Sequence, residues 1–94
     1  MDLETIIKER KCTVIDVRMP LEFIGGSALG AINIPLHDIP NKVKYLKLLK
    51  SPLVICSKSG TRSMQAQNYL AQQEIECYNA GSWLNLSRLP KNKN

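Results

Sequence analysis

The stretch "VICSKSGTRS" (54–63) carries the residues best suited to chemistry. An apolar run ends on Cys56, and Ser57, Gly60 and Arg62 follow before a helical pattern begins. The first turn of a helix presents N–H groups without internal partners, together with about half a positive charge. A glycine lets the backbone turn such N–H groups inward as a nest for an anion. We therefore expect an anion-binding loop here, with a reactive sulfur if Cys56 lies at its focus.

The reactivity of Cys56 depends on where its sulfur points. A free cysteine titrates near pH ~8.5, and helix N-termini and basic neighbours lower that value to about 3.5–7.5. Lys58 and Arg62 supply positive charge, Arg62 in a form that can hold an oxyanion with two hydrogen bonds, and Ser59 and Thr61 complete the loop. The other interpretation is a small buried thiol that closes an apolar strand. These ten residues leave both interpretations open.

The rest of the chain alternates between strand and helix patterns. Helical spacing over 3–9, Pro20 at a helix start, Asp38 as a cap, the segment 62–73 and "SWLNLSRL" predict helices. The apolar and β-branched runs predict strands: "TVIDV" (13–17), "GAINIP" (30–35), "LVIC" (53–56) and "IECYNA" (75–80). This alternation predicts an α/β fold with parallel strands and right-handed crossovers. Because ligands of such sheets bind beyond the carboxyl ends of strands, the loop after Cys56 is in the right place.

Composition narrows the class of protein. The chain has 94 residues, 44% of them apolar and 22% charged, which suits one soluble domain over 1–94, with a frayed tail from about 90. No apolar run is long enough to span a membrane, and the start does not resemble a signal peptide, so we expect a cytoplasmic monomer.

The net charge and the number of cysteines indicate which ligands the protein can bind. Thirteen Lys and Arg against eight Asp and Glu give a charge of +5, which attracts small anions or acidic partners. With few aromatic side chains for base stacking, we expect no nucleic-acid binding. Three cysteines, no CxxC pair and one histidine argue against a metal site, and we expect no cofactor.

Four segments together resemble single-domain rhodanese-like proteins over nearly the whole chain. The segments are "VIDVRMPLEF", "GAINIP", "SGTRS" and "NAGSWLNL", which occur in the family's order. The resemblance implies a central, mainly parallel sheet flanked by helices on both faces. It also implies sulfurtransferase chemistry: a loop cysteine takes sulfane sulfur from thiosulfate or from a protein or low-molecular-weight persulfide. The sulfur then passes to a thiophilic acceptor, and loop amides stabilise the anionic sulfur.

The resemblance also implies structural residues near the site. Asp16 and Arg18 fall near the carboxyl end of the first strand, and we expect Arg18 to pair with Glu22. The functional alternative is that Arg18 borders the pocket. We expect Trp83 in the core and His37 on the surface.

The loop departs from the family's usual pattern of cysteine, x, serine, glycine, x, arginine, serine. Aligned without gaps from Arg62, Ser57 falls on the nucleophile position and Cys56 comes one residue early. A serine hydroxyl cannot hold sulfur as a persulfide, so the domain is then inactive, or Ser57 replaces a cysteine by natural or deliberate substitution. Successive side chains of a strand point to opposite faces. If Cys56 still belongs to the strand, it faces the core while Ser57 faces the pocket, which favours this alignment.

Two alternatives remain open. With Cys56 as nucleophile, the loop becomes CX5R, the length that related phosphatases and arsenate reductases use for a tetrahedral oxyanion. Those enzymes usually carry histidine before the cysteine, where this chain has Ile55, and they need a general acid. The second alternative is a non-catalytic module whose positive loop binds an anion or an acidic partner.

Overall fold

The computed structural model describes residues 2–87, in which short strands alternate with helices. The helices are α1 (Leu3–Lys8), α2 (Pro20–Ile24), α3 (Val43–Lys47), α4 (Thr61–Gln72) and α5 (Trp83–Ser87), with a 3-10 helix over Leu36–Lys42. The strands are β1 (Thr13–Asp16), β2 (Ile32–Asn33), β3 (Leu53–Ser57) and β4 (Cys77–Ser82). Every segment predicted as helix or strand overlaps an element of that type, although α4 begins one residue before the predicted 62–73 and β4 extends two residues beyond the predicted 75–80. The tail expected from about residue 90 lies outside the described residues.

The four strands form one parallel sheet in the order β2-β1-β3-β4. Strand β1 pairs with β2 through Ile15 and Ile32, and with β3 through Val14 and Val54. The crossovers between parallel strands require intervening helical segments, which the chain supplies. The predicted α/β fold with a parallel sheet is therefore confirmed.

Strand β3 lies in the middle of the sheet, and all five of its residues are buried. Leu53 and Ile55 face a cluster that contains Leu70 of α4 and Leu46 of α3. Fully burying such a side chain contributes roughly 1.5–3 kcal/mol. Because side chains alternate along a strand, the next residues face the other way.

The opposite face of the sheet has its own, smaller cluster. Val54 and Cys56 pack there with Ala28 and Leu86. Partly buried side chains of α1 also pack against this cluster, so helices cover both faces, as expected.

Two helix starts differ in how well local sequence predicted them. Pro20 opens α2 as expected, and the Glu22 carboxylate accepts a hydrogen bond from the Met19 N–H at 2.9 Å, which satisfies one free donor of the first turn. The prediction for Asp38 was wrong. It lies inside the 3-10 helix, which begins at Leu36 directly after Pro35, so Asp38 caps nothing. Within residues 2–87, no helix is both long and apolar enough to cross a membrane.

Candidate functional site

The loop between β3 and α4 lies at the carboxyl end of the central strand. Gly60 precedes α4 with a φ of 101°, a left-handed conformation that favours glycine. A Cβ atom added to Gly60 would lie 3.2 Å from the Cα of Gly81 in β4. The loop backbone therefore packs directly against β4, which leaves little room for a side chain at this position.

Ser57 lies where the loop amides converge. Its side-chain oxygen accepts hydrogen bonds from the N–H groups of Gly60 at 2.9 Å and Ser63 at 3.3 Å. The Ser57 and Ser63 hydroxyl oxygens are 3.0 Å apart, and both residues are fully buried. Two amide dipoles aimed at one atom stabilise negative charge on that atom. The Oγ position of residue 57 is thus electrostatically suited to an anion.

Cys56 lies on the other face of the sheet and has a different environment. It is fully buried in the cluster with Val54, Ala28 and Leu86. Burial, together with the neighbouring Asp16 carboxylate, raises the pKa of the Cys56 thiol to about 12. Cys56 is therefore a neutral thiol at physiological pH, unlike the activated thiolate that a nucleophile requires.

Arg62 makes its main interaction with a residue 40 positions earlier in the chain. Its Nη1 and Nη2 donate to the two carboxylate oxygens of Glu22 at 2.7 and 3.0 Å. The hydrogen bonds from Arg62, followed by that from the Met19 N–H, lower the pKa of Glu22 to about 2. The guanidinium expected to hold an oxyanion is engaged with Glu22, and this pair ties the first turn of α4 to α2.

Arg18 has a different partner from the one expected. Its guanidinium forms an ion pair with Asp16, with Nη2 2.8 Å from Oδ2. It contacts Glu22 at the backbone oxygen, at 3.3 Å, and not at the carboxylate. The expected ion pair between Arg18 and Glu22 was therefore wrong. Arg18 also donates to the Gly26 carbonyl at 2.7 Å and lies 4.5 Å from the centre of the Trp83 ring. Arg18 thus joins the end of β1 to the turn after α2.

The remaining predicted site residues line the outside of the loop. Lys58, Ser59 and Thr61 are exposed, and the hydroxyls of Ser59 and Thr61 are 3.5 Å apart. His37 is exposed, as expected. Trp83 was expected in the core and is half-buried, packed against the Cys56 cluster. Among residues 2–87, no three His, Cys, Asp or Glu side chains are close enough to hold a metal ion.

Three residues that sequence reasoning missed hold the loop in place. The Ser63 hydroxyl donates to the side-chain oxygen Oδ1 of Asn79 at 2.6 Å. The side-chain nitrogen Nδ2 of Asn79 donates to the backbone carbonyl of Gly60 at 3.1 Å. The same Asn79 oxygen accepts from the Gly81 N–H at 2.8 Å. Ser63 belongs to the segment "SGTRS", and Asn79 and Gly81 belong to "NAGSWLNL", so all three lie in segments that carry the family resemblance. Only the sheet register shows that they meet.

Strand β4 contains a bulge directly after Asn79. Ile55 pairs with Asn79 and Cys56 pairs with Gly81, so Ala80 is an extra residue in β4. Such a bulge reorients the side chains on either side of it. Asn79 itself precedes the bulge: it pairs with Ile55, which faces α4, and therefore lies on the same face of the sheet, next to Gly60 and Ser63. The bulge affects Gly81, whose N–H binds the Asn79 side-chain oxygen.

Comparison with known proteins shows which family and which solved structures the chain is similar to. The sequence model of the Rhodanese-like domain matches residues 2–87. A putative sulfurtransferase of Bacillus subtilis, YtwF, is 36% identical over 76 residues, which is 81% of this chain and 73% of that protein. A solved structure, "rhodanese with anions from E. coli", superposes with a TM-score of 0.75 at 28% identity, covering 88% of this chain and 99% of that one.

A protein of Allochromatium vinosum named "Sulfurtransferase" is 35% identical over 60 residues, covering 64% of this chain. The chain spans about half the length of this relative, 55%, and of a second Bacillus subtilis protein, YqhL, 56%. The family model thus covers all of the described residues, whereas the matches to these two relatives cover 64% and 74% of this chain and only part of each relative.

Proposed function

Because the chain belongs to the rhodanese-like domain family, we propose that its β3–α4 loop is a sulfane-sulfur site with residue 57 at the nucleophile position. One observation carries this proposal: the N–H groups of Gly60 and Ser63 converge on the Oγ atom of Ser57. Cys56 lies on the opposite face of the sheet, away from both amides. Sulfurtransferase-named relatives and a rhodanese structure with bound anions are consistent with such a site.

A serine at position 57 limits the chemistry that this chain can perform. In sulfur transfer, a thiolate attacks the sulfane sulfur of thiosulfate, forms an S–S bond and releases sulfite. A thiophilic acceptor such as cyanide then takes the sulfur, leaves as thiocyanate and regenerates the thiolate. A serine hydroxyl forms no persulfide, so this chain does not complete the first step. Its function is therefore the non-covalent binding of a small sulfur-containing anion or a persulfide terminus by the loop.

The phosphatase or arsenate reductase alternative has less support. It needs Cys56 as a thiolate, whereas burial raises the pKa of this thiol to about 12. It also needs Arg62 to hold the oxyanion, whereas both terminal nitrogens of Arg62 bind Glu22. Turnover of an aryl phosphate that disappears in Cys56→Ala would select this alternative instead.

Persulfide formation tests the role of residue 57. The unmodified protein and Ser57→Cys are incubated with thiosulfate, and each is measured by mass spectrometry. We expect Ser57→Cys alone to gain one sulfur atom and to turn over thiosulfate with cyanide. Ser59→Cys is the matched control, because it places a thiol in the same loop but exposed and away from the two amides.

The outcomes separate the alternatives. A persulfide mapped to Cys56 in the unmodified protein would overturn the assignment of residue 57. Equal sulfur loading of Ser59→Cys and Ser57→Cys would show that the amide convergence is not what activates the thiol. Thiosulfate binding to the unmodified protein, followed by amide chemical shifts over 58–63, tests the binding function. We expect Lys58→Glu to weaken that binding, because it reverses the charge of an exposed loop residue.

A further inference from the structure

Asn79 contacts both residues whose amides define the site. Its side-chain N–H donates to the Gly60 carbonyl at 3.1 Å, and its side-chain oxygen accepts from the Ser63 hydroxyl at 2.6 Å. Gly60 and Ser63 are the residues whose N–H groups bind the Oγ of Ser57. The Asn79 carboxamide on β4 is thus hydrogen-bonded to both residues whose N–H groups bind Ser57.

The orientation of the Asn79 carboxamide follows from its neighbours. The Gly81 N–H, a donor, lies 2.8 Å from Oδ1, and the Gly60 carbonyl, an acceptor, lies 3.1 Å from Nδ2. The opposite orientation would face donor to donor and acceptor to acceptor. The bonds to Gly60 and Ser63 therefore form together, from a side chain that the strand itself orients.

The same bonds give the hydroxyl chain a direction. The two groups nearest to the Ser63 hydroxyl besides Ser57 are acceptors, namely Asn79 Oδ1 at 2.6 Å and the Gly60 carbonyl at 3.1 Å. The single proton of Ser63 is used there, so its oxygen accepts from the Ser57 hydroxyl at 3.0 Å. The Ser57 hydroxyl thus donates to the Ser63 oxygen, and the Ser63 hydroxyl donates to Asn79 Oδ1.

We propose that Asn79 is the positioning residue of this site: it touches no ligand, but it fixes the Gly60 and Ser63 amides on the γ atom of residue 57. The inference deepens the proposed function and rests on it for its chemical meaning. The loop packs closely on β4, since a Cβ added to Gly60 would lie 3.2 Å from Gly81 Cα. Because of this packing, a small displacement of Asn79 also displaces the loop backbone.

The first test uses the introduced thiol as a probe of the amides. In Ser57→Cys, the pKa of the introduced thiol is measured by NMR from the pH dependence of its Cβ chemical shift, with and without Asn79→Ala. We expect Asn79→Ala to raise that pKa by about one unit and to lower the thiolate fraction below that pKa about tenfold, because the two amides stabilise the thiolate. Asn68→Ala is the matched control, an asparagine exposed on α4 that should leave both values unchanged.

A second test does not depend on sulfur chemistry. With Ser57 intact, hydrogen exchange of the Gly60 and Ser63 amides is followed by NMR in the unmodified protein, Asn79→Ala and Asn79→Ser. We expect exchange of these two amides to be at least about tenfold faster in both variants, because they open more readily without the buttress. Asn79→Ser keeps a polar group that is too short to reach both partners, and it serves if the alanine variant does not fold.

The two tests fail in different ways. If the thiol of Ser57→Cys takes up no sulfur but the two amides still loosen without Asn79, the proposed function is wrong and the positioning role holds. If Asn79→Ala leaves both the thiol pKa and the exchange of the two amides unchanged, the positioning role is wrong. A uniform increase in exchange across β3 and α4 would also overturn it, because that would indicate only general destabilisation.

Discussion

The Arg62 guanidinium and the Glu22 carboxylate form a two-pronged ion pair, with contacts of 2.7 and 3.0 Å between residues 40 positions apart. Both side chains are about one-third exposed. The pair joins the first turn of the helix after the loop to the helix that follows β1. It therefore links the candidate site to a part of the chain that carries none of the loop residues.

Loss of this pair should appear in acid. The pKa of Glu22 is about 2 in the folded protein, against an ordinary value of 4.5. A lowered pKa means that the contribution to stability is complete above pH 4.5 and is lost as the pH falls toward 2. Glu22→Gln should reduce stability near neutral pH and flatten its decrease over this acid range, as measured by urea unfolding at several pH values.

A double-mutant cycle separates the pair from other effects of the substitution. Arg62→Gln should produce the same flattening, and the double variant with Glu22→Gln should add little further loss. If Glu22→Gln retains the full acid-dependent decrease, another carboxylate is responsible and the role of this pair is wrong.

Removal of the Ser57 hydroxyl should cost stability. Ser57→Ala leaves the Gly60 and Ser63 N–H groups without the acceptor they have now. Leaving a buried donor unsatisfied costs about 1–3 kcal/mol, so the free energy of unfolding should decrease by about that amount. Ser59→Ala removes an exposed hydroxyl from the same loop and should change it by less than about 0.5 kcal/mol. Similar values for the two variants would contradict this account of the amide focus.

The cysteines should differ in reactivity in the native protein. Cys12 is half-buried, whereas Cys56 and Cys77 are buried. Burial is the main cause that raises the pKa of all three thiols, to about 12 for Cys56. Alkylation near neutral pH, mapped by peptide mass spectrometry, should therefore modify Cys12 first and Cys56 only when the protein unfolds.

Cys56→Ala should then act as a core substitution, with a cost of about 1 kcal/mol and no effect on sulfur loading of Ser57→Cys. Rapid native-state alkylation of Cys56 would be inconsistent with its position on the buried face, and would revive the CX5R alternative.

Two of the glycines with positive φ, Gly60 and Gly30, offer a matched comparison. Gly60 has a φ of 101° and Gly30 a φ of 79°, so alanine is strained at both, by roughly 1–2 kcal/mol. A Cβ at Gly30 meets nothing within 4 Å, whereas one at Gly60 lies 3.2 Å from Gly81 Cα. Gly60→Ala should thus lower the melting temperature more than Gly30→Ala does. In the Ser57→Cys background it should also reduce sulfur loading, and equal effects of the two variants would argue against close packing of the loop on β4.

Local sequence determined most of the elements of this protein. β-branched runs such as "TVIDV" form buried strands because their side chains suit a pleated, covered surface, and Pro20 opens a helix because its φ is preset. Strand alternation alone separated Cys56 from Ser57, since successive side chains face opposite sides. The glycine at 60 and the order of four short segments were enough to indicate the loop and the family.

Only the tertiary structure decided which side chains meet. Glu22 binds Arg62 rather than Arg18, because the sheet order places α2 beside the start of α4 while the buried Asp16 already holds Arg18. Asn79 reaches the loop because it pairs with Ile55 on the face of the sheet that α4 covers, a strand register that no local pattern indicates. These partners are 16 to 40 positions apart, and such contacts depend on strand pairing rather than on the preferences of neighbouring residues.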